Sequence, residues 1–228
     1  MSDDTSIAGY PGPISDTPAV FDFDGKGAVP AHRHRNPDGT AGGFVANTAT
    51  VDDTVYMSRG ALVYGNAQVL EMARVVDRAR VCGTAVVGGH AQLQGSSVVS
   101  GAALVDGFAV VRGMAKVFSE AQVRGNALVG GEALVGVTAL LRKRKDLMHG
   151  SSGEVNWSAY WYLSDDKTQK RVWLTYGTKT GDLDDYWRAP EKTYLASLVV
   201  SFVRRAFYPT SDLEYLALAA QDTGETPP

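Results

Sequence analysis

Four histidines and one cysteine are the side chains of this 228-residue chain best suited to proton transfer, nucleophilic attack or metal binding. A catalytic zinc site takes three imidazoles and keeps a fourth position open for water. Here His32 and His34 stand close together, His90 is isolated in the middle of the chain, and His149 follows a basic run, so no triad assembles and no metal site is expected. Cys82 has no partner for an internal disulfide, which fits a reducing compartment. Two further groups could grip a ligand. Arg142, Lys143, Arg144 and Lys145 form a basic run able to hold phosphates, and a run of aromatics headed by Trp157, Trp161 and Trp173 could stack on bases or sugars. Each also has a structural reading: four basic residues at a junction protect a sheet edge from stacking, and hairpin aromatics fill the core of a small domain.

What positions these residues is a period of six. Counting in steps of six from Val45 to Leu141 meets an aliphatic residue or Met at all seventeen positions, as in GNALVGGEALVG (125–136). Two residues before each, from 49 to 139, stands alanine, with Val55 and Ser97 the departures. Residues at i and i+2 of an extended segment point the same way, so each hexad reads as a short strand with a small and a branched side chain turned inward. Glycine recurs two residues after the valine, where a sharp turn needs unusual backbone angles. Three hexads make one triangular coil, and coils stack in parallel at about 4.8 Å, which gives slightly more than five coils and a prism of roughly 25 Å.

The pattern resembles the left-handed parallel β-helix of hexapeptide-repeat proteins. The preamble HRNPDGTAGGFVANTATV (34–51) leading into VYGNAQV (63–69) is similar to members common in bacteriophage genomes. The resemblance covers about residues 30 to 141, and the left hand comes from it rather than from the spacing. It implies a mainly β protein and leaves function open, because the family includes acyltransferases and γ-type carbonic anhydrases. The acyl-transfer alternative implies an acyl-CoA donor and His90 as general base. His90 precedes Ala91 and so points outward, at a position occupied elsewhere by Thr48, Asn66, Arg78, Phe108 and Glu132 among others, which reads as ordinary solvated surface. Catalytic members usually carry a loop protruding from the coils, and here the register never slips.

The flanks complete the organisation. Residues 1–44, rich in Gly, Pro and Asp, read as an irregular arm that ends in the NPDG turn (36–39) and caps the solenoid at 45–141. HGSSG (149–153) reads as a linker. A small α+β domain is expected over 150–222, with a hairpin from VNWSAYWYL (155–163) and RVWLTYG (171–177) and two helices after it; residues 223–228 form a tail. The hairpin puts Trp157, Ala159, Trp161 and Leu163 on one face.

Outward positions along the coils are polar early, with Gln68, Arg74, Arg80 and Gln92, and apolar later. The apolar ones are Val86, Val98, Leu104, Val110, Leu128, Leu134 and Leu140, joined by Phe108 and Phe118. Exposed apolar stripes mark subunit contacts or docked domains. Formal charge is −3, so no global field points to nucleic acid, although binding through the basic run and the aromatics is retained as a lesser alternative. The opening MSDDTSIAGY lacks the apolar segment of a secretory signal, and the longest apolar run, LASLVVSFV (195–203), is about half of the roughly 20 residues needed to span a bilayer. The expected protein is therefore cytoplasmic, without a cofactor. It is a non-enzymatic scaffold that forms homo-oligomers through the rod and binds a host or virion protein through its C-terminal domain.

Overall fold

In the computed structural model, residues 19–136, 138–152, 155–163, 170–176, 179–183 and 203 are described. The chain divides into two compact units, Met1–Arg144 and Lys145–Pro228.

The first unit is a parallel β-solenoid of about five turns. Two-residue strands recur every six residues from Thr50–Val51 to Leu140–Leu141, and each pairs in parallel with a strand eighteen residues before or after it. Three sheets result. The first face carries Phe44, Leu62, Arg80, Val98, Lys116 and Leu134 in register. The second carries Thr50, Gln68, Val86, Leu104, Gln122 and Leu140, and the third Tyr56, Arg74, Gln92, Val110 and Leu128. Between coils the backbone donates at 17-residue offsets, as from Leu62 N to Ala79 O at 3.1 Å and from Gln92 N to Ala109 O at 2.9 Å.

The inward columns are as dry as the period requires. Val63, Val81, Val99, Val117 and Val135, with their alanine counterparts Ala61, Ala79 and Ala115, have no more than 0% exposure, and Val55 and Ser97 are buried in the alanine column too. Ser97 Oγ finds no hydrogen-bond acceptor there. A buried unsatisfied hydroxyl is destabilising, so Ser97→Ala is expected to raise stability by about 1 kcal/mol, read as a higher denaturant midpoint with unchanged slope.

Turns follow the same column logic. At three of the turns where glycine is missing, Glu71, Asp77 and Ser119 adopt φ of 58°, 59° and 58°. Two of them return a compensating bond to the coil below: Gly89 N donates to Glu71 Oε2 and Gly95 N to Asp77 Oδ2, each at 2.8 Å. Such bonds offset left-handed backbone strain in a non-glycine residue.

Residues 19–46 are not the irregular arm the composition suggested. Ala19–Phe21, Val29–Arg35 and Ala41–Ala46 form antiparallel neighbours, and the last of these pairs in parallel with Leu62–Val63, so the cap is a continuation of the first sheet. The NPDG turn stands as expected, closed by Gly39 N donating to Asn36 O and with Gly39 at φ 82°. The edge of the third sheet is closed by side chains instead of strands. Asn36 lies buried and presents an amide in place of a peptide: Met57 N donates to its Oδ1 at 2.8 Å, and its Nδ2 donates to Met57 O at 2.9 Å. His34 Nε2 donates to Val55 O at 2.8 Å. Asn36→Ala would leave both Met57 backbone groups buried without these partners, so a loss of roughly 2–4 kcal/mol is expected in chemical denaturation. Asn36→Asp should also destabilise, because a carboxylate cannot donate to Met57 O.

In the second unit four antiparallel strands run in order: Leu147–Ser152, Val155–Leu163, Lys170–Tyr176 and Lys179–Asp182. The hairpin is as read from the sequence, with Trp157 opposite Tyr176, Ala159 opposite Leu174 and Trp161 opposite Val172. HGSSG is not a linker: all but its last residue belongs to the first strand, which begins three residues ahead of position 150. Alternating strand positions bury both sides, with Ala159, Val172 and Leu174 on one and Ser158 and Tyr160 on the other. Leu183 and Val203 are helical and buried. Leu183 precedes both expected helices; apart from Val203 those helices, and the tail at 223–228, lie outside the described residues.

Candidate interaction surface

The outward aliphatic residues are half-buried on the three faces rather than gathered into one stripe. On the second face Val86 and Leu104 are direct neighbours, whereas exposed Gln122 separates Leu104 from Leu140. Val110 and Leu128 are neighbours on the third face. On the first face exposed Lys116 lies between Val98 and Leu134. Residues whose side chains are half-covered by the coils above and below offer flat, modest apolar surface.

The corners protrude further. At the bend from the second face to the third, Phe108 is 63% exposed and stacks on His90 with centroids 5.0 Å apart and planes at 8°. Met72, one coil above His90 in the same column, is 59% exposed. The sequence reading found Phe108 and missed Met72; the signal was present as the spacing 72, 90, 108. His90 N donates to Gly107 O, so the backbone beneath the imidazole is held by the ladder while the ring lies against phenylalanine. Among the described residues no carboxylate or other hydrogen-bonding group holds the ring in the way that fixes a catalytic base.

Among the described residues of the first unit, the cap carries the densest aromatic packing. Phe21 stacks on Phe44 at 4.2 Å, Phe23 on Tyr64 at 5.1 Å, and the Arg33 guanidinium sits 4.1 Å above the Phe44 ring. Burial first, and then neighbouring Arg59, lowers the Arg33 pKa. Burial, followed by a hydrogen bond with the Cys82 thiol, pushes the Tyr64 phenol up to about 12. Cys82 is half-buried beside this phenol.

The remaining candidates are dispersed. His32 bonds Asn47 through Nδ1, His34 closes the third sheet, and His149 lies in the second unit. Among the described residues no group of three or more His, Cys, Asp or Glu could hold a metal ion. Arg142, Lys143 and Arg144 are exposed; Arg142 O accepts from Asn126 N, so the basic run begins on the final coil, and Arg144–Asp146 then forms a 3-10 turn. The Lys145 and Trp161 side chains lie outside the described residues. Trp157 and Trp173 are half-buried in their sheet.

Among the described residues no helix is long and apolar enough to cross a membrane. No family model matches the chain, and neither a curated protein nor a solved structure matches it.

Proposed function

We propose that this is a non-enzymatic binding or scaffolding protein whose β-solenoid serves as a rigid, self-associating rod and whose C-terminal sheet makes the specific contact with a protein partner. The observation that carries the reading is the distribution of side chains on an uninterrupted solenoid: every inward column is filled, while apolar Phe108 and Met72 project from a corner, where burial against protein is the gain open to them. A rod whose coils keep one register from Thr50 to Leu141 holds such residues at fixed spacing, which suits assembly. The likeness of residues 34–51 and 63–69 to hexapeptide-repeat proteins of bacteriophage genomes supports a left-handed winding and a phage-derived origin, with a virion protein or a host factor, including a defence complex, as partner.

Affinity capture from host lysate tests this with the intact chain and a chain ending at Arg144, circular dichroism confirming that the shorter chain keeps its β signal. A partner retained by the first and lost by the second is expected. Absence of any partner, together with calorimetric binding of an acyl-CoA that disappears in His90→Ala, would establish the acyl-transfer alternative instead.

A further inference from the structure

The corner between the second and third faces has an order along the rod that its individual residues do not reveal. Its central coils are apolar: Met72 and Phe108 flank His90 in one column, and Val86 and Leu104 are register neighbours just behind. Toward the N-terminal end the same edge carries Asp52 and Asp53, the latter exposed. Toward the C-terminal end it carries Arg124, then exposed Arg142 and Lys143. Four of the charges along it are engaged within the rod: Asp106 is 3.7 Å from Arg124, Glu71 accepts from Gly89 N, and Asp52 accepts from Glu71 N, which leaves exposed Asp53 to mark the acidic end and exposed Arg142 and Lys143 the basic end. The edge therefore runs from acidic through apolar to basic.

Such an order is complementary to itself when reversed. A two-fold axis normal to the rod, passing between the coil of His90 and that of Phe108, sets Val86 against Leu104 and His90 against Phe108 of a second copy. It also sets Asp53 against Lys143 at both ends. A parallel alignment of the same edges opposes acid to acid and base to base, which costs affinity and slows encounter. Closed two-fold pairing also leaves no free copy of the surface from which a filament could grow. We propose that this edge is an antiparallel self-association surface whose occupant is a second copy of the chain. The proposal rests on the reading that the rod self-associates and narrows it to one edge and one direction.

Disulfide trapping of the full-length chain decides it. In a Cys82→Ser background, Met72→Cys and Asn126→Cys are prepared separately, both at exposed corner positions, and circular dichroism confirms folding. Under the proposed axis position 72 faces position 126 of the second copy, whereas 72 is displaced from 72 by three coils, about 14 Å. The mixture is expected to cross-link at least about tenfold more than either variant alone. Independently, Asp53→Lys is expected to weaken self-association about tenfold in sedimentation equilibrium, and adding Lys143→Glu to restore it. Efficient cross-linking of each variant with itself would show parallel pairing and overturn the proposal while leaving a self-associating rod. Self-association with neither kind of cross-link would place the contact elsewhere and overturn it likewise. A monomer at every concentration would overturn both this proposal and the reading beneath it.

Discussion

Ala103→Phe is expected to lower the thermal midpoint by roughly 10 °C, or to prevent folding of the first unit. Ala103 has no exposed surface and lies in a lumen column whose neighbours above and below, Ala85 and Ala121, are equally buried. The wall around it is hydrogen-bonded from coil to coil, with Val86 N donating to Ala103 O and Leu104 N to Ala121 O. A phenyl ring can be fitted only by prising coils apart, and overpacking of this kind costs at least about 3 kcal/mol. For a chain of this size each kcal/mol moves the midpoint by about 2–4 °C. Differential scanning calorimetry reads the effect, and Val105→Ile, a single added methylene in the adjacent column, should cost much less.

Gly43→Ala should be similarly severe for a different reason. Gly43 lies in the strand Ala41–Ala46, and a Cβ built on it would stand 2.0 Å from Ala61 O and 2.8 Å from Ala61 C. Both atoms are backbone, so no side chain can swing aside. The strand must lift from the first coil, breaking the pairing of Phe44 with Leu62 and Val45 with Val63 and opening the Phe44 stack. A loss of about 3 kcal/mol or more is expected in denaturant unfolding, with faster amide exchange in Leu62–Val63. Gly88→Ala is the control. Its added Cβ would meet only Asp106 Oδ1, at 3.9 Å, and stability should stay within about 0.5 kcal/mol.

The contrast between these two glycines marks the boundary of what the residue pattern discloses. Lumen positions are legible because a repeat imposes the same environment on each member: once Ala115 and Val117 are assigned inward, Ala133 and Val135 follow, and all four are buried. Even the departures obey, since Val55 and Ser97 keep their column. The cap has no repeat to read. Ala41–Ala46 contains two glycines, which weaken strand propensity, and its pairing is set by the coil it covers. Asn36 reads as a turn residue, which it is; its second role depends on Met57, 21 residues away, having no strand above it. HGSSG failed for a related reason. Gly and Ser suggest a linker, but antiparallel pairing to Val155–Tyr160 satisfies their backbone as a strand.

Surface chemistry was less legible than the lumen. Which columns point outward follows from the period, and Val86, Val110 and Leu128 lie on the faces assigned to them. How far each side chain protrudes depends on the corner geometry and on its neighbours eighteen residues away. Phe118, for example, is only 37% exposed because its ring lies over Gly136, within 2.4 Å of where a Cβ would stand. The same spacing joins Met72 to Phe108 through His90, a relation that reading the six-residue columns singly does not bring out.

The account stands on residues 45–141 winding as stacked three-sided coils, and a distance measurement tests that most directly. With Cys82 replaced by serine, nitroxide labels at Thr50→Cys and Gln122→Cys sit on exposed positions of one face, four coils apart. Pulsed electron spin resonance on protein diluted with unlabelled chain should give a narrow distribution near 19 Å, four spacings of about 4.8 Å. A broad distribution, or a separation well beyond about 30 Å, would contradict the solenoid and every assignment of surface and lumen drawn from it.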